Sequence, residues 1–354
     1  MKFVTYRDTA REKKIKNDHS PRVGLRFSDS KSNTQEADSL SGIIVDFRRA
    51  LELVSQKSVN EQSSFSEKYT KDILSVISGY HEILPYCLEI QKFFIEGKIP
   101  HSIMIPESTC ELLSPLPVPS SLRDAYAFKQ HVETSRKNRG LEMIPEFFEF
   151  PVFYFSNRFA VQGPGVISLQ SNHFKNLDFE LEVAFVISKE GKNIPPNKAH
   201  EYLFGLMIMN DWSERSIQRR EVKLNLGPHK AKDFATSLGP YLVTLDELKD
   251  SMKLSDKGPL FDLPMEGFLN GKKISAGNLK DMHWTFGEIL ARVSDGVTVY
   301  PGEVIGSGTV GTGCLFEINS GKPECEQAWL QPNDEISLHV KNLGLLKNKV
   351  VLSS

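Results

Sequence analysis

Residues Phe179–Phe185 read Phe-Glu-Leu-Glu-Val-Ala-Phe and alternate between apolar and acidic side chains. Such alternation predicts a strand with Glu180 and Glu182 on one face and Phe179, Leu181 and Val183 on the other. The continuation Val183–Ile187 is almost wholly apolar, as in a strand covered on both faces. Two carboxylates on one strand face repel unless something positive lies between them. A second apolar run, Phe204–Met209, leads directly into Asn210-Asp211-Trp212-Ser213. Three acids, Glu180, Glu182 and Asp211, beside apolar strands predict a hard-cation site with oxygen ligands.

The rest of the chain supplies partners for these acids. Reading Asp211 as a helix start puts Asp211, Arg215 and Gln218 on one helical face. A helix over Asp124–Arg136 puts Asp124 and His131 on a common face. An imidazole titrating near working pH suits a general base, and such a base needs an orienting partner. Glu317 is the late candidate for that partner. Gly306-Ser307-Gly308-Thr309 follows an apolar pair. Its glycines let backbone approach a ligand, with Thr309 free to bind a substrate oxygen. Lys232 is a candidate to hold an anionic group. Each motif also has a plain structural reading: a solvated Glu-x-Glu face, a surface ion pair, an amphipathic helix, a hairpin turn, a loop lysine. Their joint occurrence is what argues for a site.

The first third carries none of this chemistry. Phe3–Tyr6, Val23–Phe27 and Ile43–Phe47 read as short strands, and Ser28–Ser41 as a polar loop. Arg48–Val54, Lys71–Gly79 and Glu82–Gly97 read as helices, with a break near Pro85 and a stop at Gly97 and Pro100. The run Leu113–Ser121 contains three prolines and enforces extended backbone. It predicts a boundary between a supporting unit, 1–118, and a chemistry-bearing unit, 119–354. In the second unit Val152–Phe155, Leu181–Ile187, Tyr241–Thr244 and Ile336–Val340 read as strands. Helices are expected at Asp124–Arg136, Pro196–Phe204, Glu214–Arg220 and Trp284–Arg292. The class is α+β but β-rich, with a closed or rolled sheet.

Composition narrows the partners. A net charge of −2 over 354 residues gives no reason to expect nucleic acid or an anionic membrane surface. No apolar run approaches the roughly 20 residues that span a bilayer. The N-terminal stretch is too charged for a secretory leader. Cys87, Cys110, Cys314 and Cys325 form no CxxC pair and no zinc spacing, so free thiols in a cytoplasmic protein are expected.

The order Leu-Asp-Phe-Glu-Leu-Glu-Val-Ala-Phe, then Met-Asn-Asp-Trp-Ser, Arg215, Gln218, Leu226-Gly227-Pro228, Lys232 and Gly308-Thr309 resembles the fumarylacetoacetate hydrolase family. The resemblance runs from about Asp124 to Glu317. It implies a mixed β-sandwich roll as catalytic domain behind a smaller N-terminal α+β domain, a homodimer, and a divalent metal, Mg²⁺ or Ca²⁺ with Mn²⁺ as a third option. It implies cleavage of a carbon–carbon bond in a small-molecule β-diketo acid, within aromatic amino acid catabolism. Relatives of the family hydrate, isomerise or decarboxylate. Carried over by position, Asp124, Glu180, Glu182 and Asp211 are metal ligands, and His131 is the base, paired with Glu317. Tyr126, Tyr154, Arg215, Gln218, Lys232 and Thr309 contact substrate oxygens, Lys232 with a catalytic role. Ser216, where an aspartate is expected after Arg215, and Phe155-Ser156-Asn157-Arg158 after Tyr154 depart from the family pattern. These departures surround the substrate rather than the metal.

Overall fold

The computed structural model describes residues 1–9, 20–28, 42–55 and 58–353. The Leu203–Asp211 and Leu181–Ile187 strands pair antiparallel at the centre of a 12-stranded sheet. On one side the sheet continues through Glu303–Gly306, Ser121–Ala125 and Phe153–Phe155. On the other it continues through Thr236–Thr244, Lys2–Asp8, Arg22–Ser28, Gly42–Asp46 and Met104–Pro106. A five-stranded sheet contains Lys272–Asn278, Pro264–Leu269, Glu335–Val340, Gly344–Leu352 and Gly165–Leu169, in that spatial order. The α+β, β-rich class and the layered sheets match the sequence reading.

Alternation decides which layer each residue enters. Val183, Phe185 and Ile187 belong to a core shared with Met265, Leu338 and Leu346 of the five-stranded sheet. Ala184 and Val186, on the opposite face, pack with Leu51, Ile77 and Ile90 of the N-terminal helices. The central strand is therefore buried on both faces, which is why it reads as a nearly unbroken apolar run.

The N-terminal strands were anticipated to within a residue or two, and so was the Phe47–Val54 helix. The expected break at Pro85 does not occur: one helix runs Tyr80–Ile95 with Pro85 inside it. It stops where expected, at Gly97 (φ 68°), with the Lys98 amide bonding the Phe93 carbonyl at 2.8 Å. The left-handed backbone there favours glycine. A further helix, Val59–Thr70, was not anticipated; the loop expected at 28–41 lies almost wholly outside the described residues. Pro196–Phe204 is not a single helix: a 3₁₀ turn spans Pro196–Glu201, and Phe204 already belongs to the next strand.

The proline-rich run lies along the first strand. The Leu113 amide bonds the Thr5 carbonyl at 2.9 Å, and Thr5 Oγ1 bonds the Pro115 carbonyl at 2.8 Å. Lys2–Asp8 pairs with Thr236–Thr244, so strands from both sides of this run share one sheet. We propose residue 119 as the start of the chemistry-bearing unit, with the sheet shared across that point. Among the described residues no helix is long and apolar enough to cross a membrane.

Candidate active site

Sheet register assembles the acids. Leu181 pairs with Asn210 and Glu182 with Met209. Ala184 pairs with Gly306, Gly306 with Asp124, and Asp124 with Tyr154. Paired residues share a face, and alternate residues on a strand return to it. Glu182, Asp211, Asp124 and Tyr154 therefore lie on one face at one end of the sheet. Glu180, just before its strand, joins them. This is also the face that carries the N-terminal helices further along.

Two helical expectations are corrected. Asp124 lies on the strand Ser121–Ala125, and the helix begins only at Lys129. The parallel partner Glu303–Gly306 claims Ser121–Ala125 as strand. Asp211 likewise ends the strand Leu203–Asp211, and the helix is Arg215–Glu221. Glu214 caps that helix by accepting the Ile217 amide at 2.6 Å. Arg215 and Gln218 do share a helical face, with Arg215 Nη1 donating to Gln218 Oε1 at 3.0 Å.

Buried polar contacts then fix the geometry. Glu180 accepts from Arg215 Nη2 at 2.7 Å and from the Lys232 ammonium. The same ammonium bonds Asp211 Oδ2, as does the Tyr154 hydroxyl. Tyr154 also bonds Asp124 Oδ2 at 3.2 Å. Glu182 Oε1 accepts from Thr309 Oγ1 at 3.2 Å. His131 Nδ1–H donates to Glu317 Oε2 at 2.8 Å, leaving Nε2 3.5 Å from Ser135 Oγ. The Tyr126 and His131 rings meet edge to face at 5.5 Å.

A cavity of about 260 Å³ opens on this arrangement. Asp124, Tyr126, His131, Tyr154, Glu180, Arg215, Gln218, Lys232 and Thr309 all line it. Glu182, Asp211 and Glu317 stand behind that lining, each within hydrogen-bond reach of a residue in it. The structure thus brings together every residue the sequence singled out.

Sequence reasoning passed over two others. Asp178 accepts the Leu315 amide at 2.7 Å, the Phe316 amide at 3.0 Å and Arg215 Nε at 2.8 Å. It holds Arg215 against Glu180. Its signal was present: Asp178, Glu180 and Glu182 follow one another at period two. Asn210 accepts the Glu180 amide at 2.9 Å, and so ties the Asn-Asp-Trp-Ser run to the acidic strand. The family resemblance also implies an arginine shortly after His131, with Arg136 and Arg139 as the two candidates; Arg139 lines the cavity, whereas Arg136 bonds the Glu142 carbonyl.

Electrostatics test whether these residues suit a cation. Of four buried carboxylates, Asp124, Glu180, Glu182 and Asp211, Lys232 pairs with Glu180 and Asp211, and Glu180 shares Arg215 with Asp178. Burial alone would raise Glu180, but Lys232 and Arg215 hold it well below the usual carboxylate range. Burial, then the neighbouring acids, pushes Glu182 well above it. Burial and Asp211 raise Asp124 to about 7. Burial also raises Asp211, against the pull of Lys232. Two buried oxygens, Glu182 Oε2 and Asp211 Oδ1, have no hydrogen-bond partner among the described residues. Orphaned acceptors on crowded, buried carboxylates are costly. A hard divalent cation answers both problems, through oxygen ligands alone. Asp124, Glu180 and Glu182 each offer an oxygen within 4.8 Å of the others. The donor set fits the metal.

Residues 121–351 match the family model described as "Fumarylacetoacetate (FAA) hydrolase C-terminal". The chain belongs to the fumarylacetoacetate hydrolase family. Its similarity to the fumarylacetoacetase of Oryza sativa subsp. japonica is 30% identity over 287 residues, covering 66% of each chain. The chain thus spans about two thirds of the length of that relative. Against "Oxaloacetate tautomerase YisK" of Bacillus subtilis (strain 168) it is 26% identical, covering 70% of this chain and 76% of the tautomerase. Its fold matches maleylpyruvate hydrolase from Sphingobium sp. SYK-6, solved with manganese(II) ion and pyruvate. That match has a TM-score of 0.65 at 16% identity, covering 100% of both chains. The proteins it is similar to thus include hydrolases and a tautomerase.

Proposed function

We propose that this family member is a metal-dependent hydrolase of β-diketo acids, of the fumarylacetoacetate or acylpyruvate type. The observation that carries this reading is the buried His131–Glu317 pair, 2.8 Å apart, with His131 opening on the same cavity as Asp124 and Glu180. Asp124, Glu180, Glu182 and Asp211 would hold a divalent cation, Mg²⁺ or Ca²⁺ with Mn²⁺ as a third option. Bound there, the cation supplies Lewis-acid polarisation of substrate oxygens.

The chain's own residues do the rest. Glu317 accepts Nδ1–H of His131 and so fixes the tautomer with Nε2 unprotonated. Nε2 takes a proton from water, which attacks the carbonyl carbon; the carbon–carbon bond breaks and the leaving carbon is reprotonated. Lys232 and Arg215 offset negative charge on the substrate carboxylate and the developing oxyanion, where one such donor is worth roughly 10²–10³ in turnover. Gln218, Tyr126, Tyr154 and Thr309 orient substrate oxygens from the cavity wall. The partner is thus a small anionic keto acid. We also propose a homodimeric, cytoplasmic enzyme serving aromatic amino acid catabolism, on family grounds.

A second reading keeps the metal and the keto acid but replaces water attack by proton transfer alone. The resemblance to an oxaloacetate tautomerase favours it. Purified protein assayed with Mg²⁺ against fumarylacetoacetate, fumarylpyruvate, acetylpyruvate and oxaloacetate, with and without EDTA, separates the two. EDTA-sensitive production of two acids from a diketo acid supports the hydrolase. Keto–enol interconversion of oxaloacetate without cleavage of any diketo acid would replace it by the tautomerase.

A further inference from the structure

We propose that His131, Cys314 and Glu317 form a second, soft-metal site, selective for Zn²⁺ or Cd²⁺ over Mg²⁺, and that filling it switches off the His131 base. This rests on the function proposed above only for its inhibitory consequence; the binding site stands independently.

One nitrogen, one sulfur and one oxygen converge here, with ligand atoms all within 4.8 Å of one another. The three residues are 5%, 0% and 7% exposed. Cys314 Sγ lies 3.5 Å from Glu317 Oε2, and His131 Nδ1 lies 2.8 Å from the same oxygen. Tetrahedral zinc with bonds of about 2.0–2.3 Å needs donor separations of roughly 3.3–3.8 Å, so small side-chain shifts suffice. Independently of that convergence, Glu317 Oε1 is buried with no hydrogen-bond partner among the described residues. A carboxylate with a spare buried oxygen, beside a thiol and an imidazole, is a ligand set for a borderline-soft ion. The Asp124–Glu180–Glu182 cluster, all oxygen, is instead suited to Mg²⁺ or Ca²⁺. The two clusters differ in ligand softness, so one protein would sort two classes of ion.

Binding has a defined proton balance. The Cys314 thiol gives its proton to solvent and becomes the thiolate ligand. Neutral His131 must offer Nδ1 to the metal, so its proton moves to Nε2. Glu317 changes partner from Nδ1–H to the ion. Nε2–H cannot accept a proton from water. Occupancy therefore removes the base without touching the carboxylate cluster.

The test uses Co²⁺ as a spectroscopic probe on full-length protein saturated with Mg²⁺. Wild-type protein should develop a thiolate-to-cobalt charge-transfer band at one equivalent, and Cys314→Ser should not. Cys314 does not line the cavity, so Cys314→Ser should keep Mg²⁺-dependent turnover while its half-inhibiting Zn²⁺ concentration rises roughly 10–100-fold. X-ray absorption on zinc-loaded wild-type protein needs no variant and should show one sulfur ligand. A shell of nitrogen and oxygen only, or an unchanged cobalt band in Cys314→Ser, would overturn the site. If no diketo acid is cleaved, the spectra still decide the site, and only the function proposed above falls.

Discussion

Gly306 and Asp124 are register partners on adjacent parallel strands, and a Cβ on Gly306 would stand 2.4 Å from Asp124 Oδ1. It would also stand 2.9 Å from Met209 Sδ. Gly306→Ala should therefore displace a carboxylate of the cation site and overpack the sheet, at about 1–3 kcal/mol. We expect a lower Tm and weaker Mn²⁺ binding by calorimetry. Wild-type affinity in this variant would mean Asp124 is no ligand.

The base and the metal site should separate by mutation. His131→Ala should abolish diketo-acid cleavage while divalent binding persists, and Glu182→Ala should lose both. Glu317→Gln keeps the shape but loses the negative charge that stabilises the His131 imidazolium, so kcat should fall by about 10²–10⁴ with KM little changed. Full turnover in purified His131→Ala would remove the base assignment.

Lys232 bonds Glu180 and Asp211, and breaking a buried ion pair from one side typically costs about 3–5 kcal/mol. Lys232→Met should be destabilised by that order in EDTA. Saturating Mg²⁺ should recover much of the loss by supplying charge to the same carboxylates. Equal Tm deficits with and without Mg²⁺ would show that cation and lysine do not act on a common cluster.

Stability of the metal-free protein should fall as pH rises. Burial and Asp211 lift Asp124 from its ordinary 3.8 to about 7, so the folded state holds a proton that the unfolded state releases. The stability this provides is complete below about 3.8 and is lost as pH climbs through about 7. Glu180, held low by Lys232 and Arg215, is ionised across that range and adds no slope near neutrality. Added Mg²⁺ should reverse the trend, because ligation needs the carboxylate. Urea midpoints at pH 5 and pH 8, with Mg²⁺ or EDTA, measure both slopes. A metal-free protein more stable at pH 8 would contradict the assignment.

What was legible in the sequence follows from the range of the physics. Period-two alternation over Phe179–Phe185 is local, and it gives the two faces and the strand from Leu181 onward, while Phe179 and Glu180 lie just before it. Spacing of four or seven residues suggests helices for Asp124 and Asp211, yet that spacing is equally available to a chain leaving a strand. Only the pairings with Glu303–Gly306 and Thr236–Thr244 decide the matter, and those are long-range. The helix Val59–Thr70 escaped notice because its sequence, Val-Asn-Glu-Gln-Ser-Ser-Phe-Ser-Glu-Lys-Tyr-Thr, has only a thin apolar stripe. The pairing of Lys2 with Val243 leaves no trace in either segment.

That last pairing reaches beyond architecture. The N-terminal strands occupy the edge of Thr236–Thr244, and the N-terminal helices cover Ala184, Val186, Met207 and Leu242. A protein expressed from residue 119 onward would present an unpaired strand edge beside a bare apolar face. Those two features together promote self-association. The first third, which carries none of the proposed chemistry, is thus the cover of the sheet that bears the acidic cluster.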